Sequence, residues 1–433
     1  MSGARAAAAR ALERIVRGGV SLRDAFAESA ASIADPRDRA LLSALLHDGA
    51  RWWLRYDAAV ARLMERPLRT KEPSLHALLV LGLVQIDVMG LPDYAAVAGS
   101  VEATRGLNRP KFSGLVNAVL RRWLREHEAI GAALDDDPVT ACAHPRWMID
   151  AFARDWPDDV EAILTANNAQ APLTLRANRR RTTRDALVAR ISESGVEAAA
   201  HAWLPDAVVL AHSTDVVRLP GYAEGEFSVQ DGAAQLAPQL LDLAPGQRVL
   251  DACAAPGGKS AHILECADVD LTALDRDPGR VDAMRQTFER LGLAPRVAVG
   301  DAADPAAWHD GRAYDRILVD APCTATGVLR RQPDIRLHRR AGDVAAVAAE
   351  QARVLDALWP LVAPGGRLVY ATCSILRTEN AAKIAAFVAR HPDAAPRDDV
   401  EPRFGRADGP GRQNLPGEGG MDGFFYAVLD KRR

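Results

Sequence analysis

The sequence has no uninterrupted apolar stretch of about 18 residues, the length a helix needs to cross a bilayer, so no membrane span is expected. An apolar signal core is also missing. Met1-Ser2-Gly3-Ala4-Arg5 leads straight into an amphipathic run rich in alanine and arginine, and a cytoplasmic location is the expectation. Cysteine is scarce. The five, at 142, 253, 266, 323 and 373, are odd in number and form no C-x-x-C pair. That argues against a disulfide framework and against a cysteine-rich zinc site, so no metal is expected. Lysine is scarcer for its class, five of 54 basic residues. The arginine bias reads as mostly compositional, yet it leaves many forked donors for phosphate. Net charge is −3 and 48% of residues are hydrophobic, as in an ordinary globular protein. At 433 residues the chain has room for two or three domains.

Three textures follow one another. Residues 1–135 read as all-helical. Apolar residues recur at helical spacing in Ala11-Leu12-Ile15-Val16 and Leu41-Leu42-Leu45-Leu46. Longer runs follow at 52–64, 75–89, 94–107 and 114–124, with turns at Pro67, Gly90-Leu91-Pro92 and Asn108-Arg109-Pro110. Exposed basics there include Arg105, Arg109, Lys111, Arg121, Arg122 and Arg125, which suit either a solvated face or an RNA surface. Asp135-Asp136-Asp137-Pro138 is expected to be a linker. Residues 141–225 read as a small α+β segment. It has a helix from His144, strands at 172–178, 208–210 and 216–219, and a helix at 184–193. Arg179-Arg180-Arg181 is either a surface turn or an RNA-backbone contact. Residues 226–433 alternate strand and helix, after a helix over 231–241. Strands are expected at 248–252, 269–274, 296–299, 315–320 and 366–371, with helices at 278–291, 343–359 and 379–390 and a last strand at 424–429. Such alternation implies a parallel, doubly wound sheet.

The rest is organised around Val249-Leu250-Asp251-Ala252-Cys253-Ala254-Ala255-Pro256-Gly257-Gly258-Lys259-Ser260: a buried strand, a turn without bulk, then a helix. Such a turn lies at the carboxyl end of a strand, where open α/β sheets bind ligands. It is not a P-loop, because Cys253 stands where the first glycine would fall, and no G-x-G-x-x-G fingerprint occurs. The next strand ends at Asp275, and a carboxylate there suits the two hydroxyls of a ribose. A nucleoside without an obligatory phosphate fits, and S-adenosyl-L-methionine is such a ligand. A plain corner with a surface aspartate would read the same way.

Two further strands end in chemistry. Asp320-Ala321-Pro322-Cys323 follows the fourth and Thr372-Cys373-Ser374 the fifth. Asp320, Cys323 and Cys373 should therefore face the crevice that holds the nucleoside. A thiolate adding at carbon 6 of a pyrimidine makes carbon 5 able to attack a sulfonium methyl. A carboxylic acid near ring nitrogen 3 would stabilise the developing charge, and a second group must remove the carbon-5 proton. Either cysteine alone could simply fill space. Cys253 reads as small-residue packing, and Cys142 and Cys266 have no constellation around them. The stretch 328–340, with five arginines and one aspartate, is expected to border the site and to suit a polyanionic substrate.

With these residues in view, the sequence resembles a family. Asp-Ala-Cys-Ala-Ala-Pro-Gly-Gly-Lys at 251–259, Asp-Ala-Pro-Cys-Thr-Ala-Thr-Gly at 320–327 and Ala-Thr-Cys-Ser at 371–374 are similar to the Nop/Sun family of RNA cytosine-5 methyltransferases. The helical part resembles the NusB RNA-binding fold, a pairing typical of the bacterial Sun branch acting on 16S ribosomal RNA. The resemblance covers nearly the whole chain. It implies a NusB-like bundle over 1–135, a small α+β RNA-binding subdomain over 141–225 and a Rossmann-like class I methyltransferase over 226–433. It implies Cys373 as nucleophile, Cys323 as the residue assisting release, and Asp320 at the base and near the methyl donor. The loop Cys253, Ala254, Ala255, Pro256, Gly257, Gly258 and Lys259 would surround S-adenosyl-L-methionine. Asp275 would take the ribose, Asp301 the adenine side, and Arg280 joins that set. Asp231 matches a segment leading into the core, and 330–336 matches too, with Gln332 where the family pattern has His. The expected substrate is 16S RNA, free or within an assembling subunit, and the expected state a monomer. A transfer-RNA methyltransferase of the same family and a non-catalytic RNA-binding protein are the alternatives. A nicotinamide enzyme would need the missing glycine fingerprint.

Overall fold

A computed structural model describes residues 2–66 and 68–433. The turn expected at Pro67 lies outside them. The chain forms two compact units. One comprises the residues up to Ala169 together with Leu329–Ala341; the other comprises Gln170–Val328 and Gly342–Arg433.

The first unit is helical: Ser2–Gly18, Leu22–Ala30, Pro36–Arg51, Trp53–Leu63, Pro73–Asp87, Asp93–Gly106 and Ser113–Asp135, then Arg146–Asp155 and Val160–Asn168. Pro73–Asp87 is apolar on every side and is buried along almost its whole length. Each fully buried leucine in it removes enough apolar surface from water to contribute about 2 kcal/mol. Its buried polar Gln85 is satisfied, accepting from Arg5 Nε at 2.6 Å and donating to Leu81 O at 2.9 Å. Gly82 lets the last long helix close in; a Cβ there would sit 2.7 Å from Leu120 Cδ2. The chain does break after Asp135, but the helices Arg146–Asp155 and Val160–Asn168 stay with this unit.

So does Leu329–Ala341, which corrects the reading of that stretch as an arginine-rich substrate loop. Arg336 is buried in the first unit, where its guanidinium donates to Arg51 O, Ala143 O, Asn167 O and Asn168 Oδ1 at 2.7–3.1 Å. Asp334 accepts from Leu22 N at 3.0 Å, at the start of a helix. Arg330 is buried as well, its carbonyl accepting from Arg51. Three of the segment's charges, Arg330, Asp334 and Arg336, are used inside the fold. Sequence could not show this, because a buried arginine met by carbonyls and an exposed one met by phosphate are the same letter.

The second unit holds two sheets. The smaller contains β1 (Leu173–Ala177), β2 (Ala198–Ala200), β3 (Ala207–Leu210) and β4 (Phe227–Val229), antiparallel in the order β2-β3-β1-β4. The helix Arg184–Glu193 packs Leu187 and Ile191 against Leu175, Val208 and Phe227. The strand expected at 216–219 is a single 3-10 turn, Val216–Arg218. The helix expected over 231–241 is likewise two short turns, Ala233–Leu236 and Ala237–Leu240.

The larger sheet contains β5 (Arg248–Ala252), β6 (Asp270–Asp275), β7 (Arg296–Val299), β8 (Tyr314–Asp320), β9 (Val362–Thr372), β10 (Ala394–Pro396), β11 (Arg406–Asp408), β12 (Gly411–Asn414) and β13 (Phe424–Lys431). Its order is β11-β12-β13-β9-β8-β5-β6-β7, with β10 also on β13. The five strands from β9 to β7 are parallel, as the alternation of strand and helix requires. From β13 outward the pairing is antiparallel, so the sheet is mixed rather than wholly parallel.

Two residues of the triple arginine, Arg180 and Arg181, reach from the smaller sheet to segments flanking the larger one. Arg179 bonds Asp206 at 2.7 Å, Arg180 bonds Leu264 O at 2.6 Å and Asp268 at 2.5 Å, and Arg181 bonds Leu291 O at 3.0 Å. All three side chains are exposed, as in a surface turn, and are also bonded within the fold. Deeper in, the fully buried Arg176 pairs with Glu265 and also donates to Gly258 O at 2.8 Å.

Candidate active site

β5 runs fully buried between β6 and β8, and the chain then turns sharply into the helix Gly258–Cys266. The turn is built from backbone. Cys253 is left-handed at φ 60°, and Gly257 at φ 93°. A Cβ on Gly257 would lie 2.6 Å from Met284 Cγ, so both conformation and space demand glycine. The Ala255–Pro256 bond is cis. Ala255 N donates to Asp275 Oδ2 at 3.0 Å and Asp277 N to Asp275 Oδ1 at 3.1 Å, which orients that buried carboxylate. Arg280 donates to Ala255 O and lies 3.7 Å from Asp275. Asp301 is held by Ala303 N and by Arg353, each at 2.9 Å. An oriented carboxylate with lone pairs to spare, beside a turn with no bulk, fits a ribose.

Asp251 lies fully buried beneath this turn and accepts from Ser260 Oγ. Burial pushes its carboxyl up to about 7, with Asp320 and Asp275 adding to the effect. Lys259 leaves the turn and bonds Asp320 Oδ2 at 2.7 Å, its ammonium 5.0 Å from the centre of the Phe424 ring. Burial acts against the charge on Lys259, but Asp320 more than compensates and holds the ammonium above its ordinary range.

On the far side of Asp320 the two strand ends meet. β8 and β9 are in register with Asp320 opposite Ala371. The loops beyond are tied by Ala321 N to Ala371 O at 2.9 Å and Gly327 N to Cys373 O at 2.8 Å. Gly327 O then accepts from Gly423 N at 2.9 Å. A Cβ on Gly327 would fall 2.1 Å from Gly423 O. Held this way, Cys323 Sγ and Cys373 Sγ are 3.4 Å apart. Cys373 is close enough to Lys259 to act on its charge. The hydrogen bond to Cys373 and burial hold the Cys323 thiol well above its usual range. Burial pushes Cys253 up to about 12 and Cys266 up to about 11, which leaves both as inert thiols.

The structure thus brings together Asp320, Cys323, Cys373 and Lys259, and beside them the 253–259 turn with Asp275 and Arg280. Asp301 lies further along, after β7. Asp231 sits outside the thiol cluster, accepting from Ala233 N at 2.9 Å and Asp422 N at 3.1 Å. Gln332 is exposed. Sequence reasoning missed Thr324, Ser374, Glu379 and Asn380, which lie buried behind the thiols. The one available signal was the polar pair Glu379-Asn380 ahead of an apolar helix.

The description "16S rRNA methyltransferase RsmB/F" matches residues 238–430, a ferredoxin-like domain described for the same group matches 144–217, and the NusB family matches 2–125. A Pseudomonas putida protein named ribosomal RNA small subunit methyltransferase B is 46% identical over 429 residues, spanning 99% of this chain and 98% of that one. The chain belongs to the RsmB/F methyltransferase family. A Xanthomonas campestris relative of the same name is also 46% identical, with 99% and 97% covered. The solved structure of PH0851 shares the fold with TM-score 0.81 at 23% identity, spanning 98% and 99% of the two chains. A methyltransferase homologue from Pyrococcus horikoshii aligns at 25% identity with TM-score 0.58, over 68% of this chain and 97% of that one. RsmB/F membership makes the chain a methyltransferase with a NusB domain, a ferredoxin-like domain and a Rossmann-like domain. No helix among the described residues is long and apolar enough to cross a membrane.

Proposed function

We propose that the protein methylates carbon 5 of a cytosine in 16S ribosomal RNA, using S-adenosyl-L-methionine and a covalent bond from Cys373 to carbon 6. The observation that carries this reading is the pair of sulfurs 3.4 Å apart, beside the Asp320–Lys259 pair and the nucleoside-shaped turn. The Cys373 thiolate adds at carbon 6, and the former double-bond electrons move toward carbon 5 and the ring. Asp320 accepts from the exocyclic amine, and the Lys259 ammonium offsets the charge that builds on the ring. When bound, the cofactor supplies an electrophilic methyl group to carbon 5. Once the Cys373 sulfur is bonded to carbon its negative charge is gone. The leading cause that holds Cys323 protonated goes with it. Cys323 then releases its proton to solvent and takes the carbon-5 proton, while the carbon–sulfur bond breaks and the double bond returns. The division of labour follows the modules 1–135, 141–225 and 226–433: RNA on the first two, chemistry on the third. The names of the full-length relatives support the ribosomal substrate.

The test is a denaturing gel of Cys323→Ala with unmodified 16S RNA and S-adenosyl-L-methionine. A slow protein–RNA band is expected, absent from the Cys323→Ala/Cys373→Ala double variant. A band with transfer RNA and none with ribosomal RNA would change the substrate. No band with either would overturn the two-cysteine mechanism.

A further inference from the structure

Behind the thiols lies an acid to which the reaction above gives no role. Glu379 is fully buried, just before the helix Ala381–Arg390. Its Oε1 accepts from Thr324 N at 2.8 Å and Gln351 Nε2 at 3.3 Å. Its Oε2 accepts from Thr324 Oγ1 and Ser374 Oγ, both at 2.5 Å. Thr324 N and Gln351 Nε2 can only donate and both hydroxyls are able to, so a carboxylate can accept all four bonds. Thr324 follows Cys323 and Ser374 follows Cys373, so one side chain grips both loops. Its own backbone is fixed by Tyr370 Oη donating to Glu379 O at 2.7 Å. Asn380 adds bonds to Thr372 at 2.6 Å and Ser374 O at 2.8 Å.

We propose that Glu379 is a positioning residue that clamps the Cys323 loop to the Cys373 loop and, by its charge, adds to the bias of Cys323 toward the thiol form. This rests on the two-cysteine reading above. The surroundings of the two sulfurs differ in sign. Cys323 faces Cys373, Glu379, the Tyr370 phenol and the Ala325 N–H. Cys373 faces Cys323 and the Lys259 ammonium, itself bonded to Asp320. Two sulfurs 3.4 Å apart interact as a pair, and the negative charge of Glu379 favours the protonated form of Cys323. Burial lifts Glu379 above the ordinary carboxylate range, and the bonds from Ser374, Thr324 and Gln351 oppose that lift.

The experiment is pH-dependent alkylation of the full-length protein with iodoacetamide, each cysteine peptide being read by mass spectrometry. Glu379→Gln keeps the shape and removes the charge. Half-labelling of Cys323 should move down by about one pH unit, the scale of one nearby charge at a buried site. Its kcat should fall by about tenfold or more, with KM for S-adenosyl-L-methionine held within about twofold. A Cys323 profile that does not move overturns the electrostatic role. Thr324→Val supplies a second handle, because it removes one strut and keeps the charge. It should lower kcat without moving Cys323 labelling downward; full kcat would overturn the clamp. Alkylation needs neither RNA nor methyl donor, so this readout survives if the cytosine chemistry proves wrong.

Discussion

The two walls of the crevice are built by different means. The wall proposed for the cofactor is backbone: a turn of small residues with Cys253 and Gly257 left-handed and Asp275 oriented by two N–H groups. The thiol wall is side chain: two loops locked by Glu379, Thr324, Thr326, Ser374 and Asn380, all buried. A ligand that must be bound and released is met by a wall with little bulk. Two sulfurs that must stay a few tenths of an ångström from a working distance are met by a polar network with few loose ends. Damage to the first should therefore show in binding, and damage to the second in turnover.

Cys373→Ala is the sharpest cut. Methyl transfer should fall below detection while RNA affinity, read by filter binding, stays within about threefold; retained turnover would remove Cys373 as nucleophile. Gly327→Ala comes next. The added Cβ overlaps Gly423 O, so the two loops must part, and misplacement near 1 Å costs about 10²-fold in kcat. Cofactor affinity should hold, and a titration showing it lost instead would erase the distinction between the walls. Gly257→Ala tests the other wall. Its left-handed backbone and the contact with Met284 cost about 1–3 kcal/mol, which should appear as roughly tenfold weaker binding of S-adenosylhomocysteine by calorimetry. Unchanged binding with reduced kcat would reverse the assignment.

Asp251→Asn is the mildest at the bench and concerns stability. The folded carboxyl titrates at about 7, above its ordinary 3.8. Between those values the folded state holds a proton that the unfolded state has lost. The contribution of Asp251 is therefore present below pH 4 and is lost as pH rises toward 7, a change on the order of 4 kcal/mol. Urea midpoints should fall across that window in the natural protein and fall less in Asp251→Asn. Equal slopes would mean that Asp251 stays ionised.

Much of this was legible in the sequence. The five parallel strands, their helices, and Cys323, Cys373, Asp320 and the 253–259 turn follow from alternation and from residues at strand ends. The arginines misled. Arg330 and Arg336 looked like an RNA-facing loop and are buried in the helical unit, while Arg180 and Arg181 bond from the smaller sheet to segments flanking the larger one. A cut at residue 135 would pass through the first unit rather than beside it, since 136–169 and 329–341 belong there.

By itself the sequence determined the order of elements and which residues stand at the strand ends, because hydrophobic period and strand-end position are local properties of the chain. Only the tertiary structure decided the partners. Whether a guanidinium meets phosphate or carbonyl and what Glu379 holds depend on groups from 5 to 285 residues away. Charge and hydrogen bonding act through distance in space, which sequence spacing does not record.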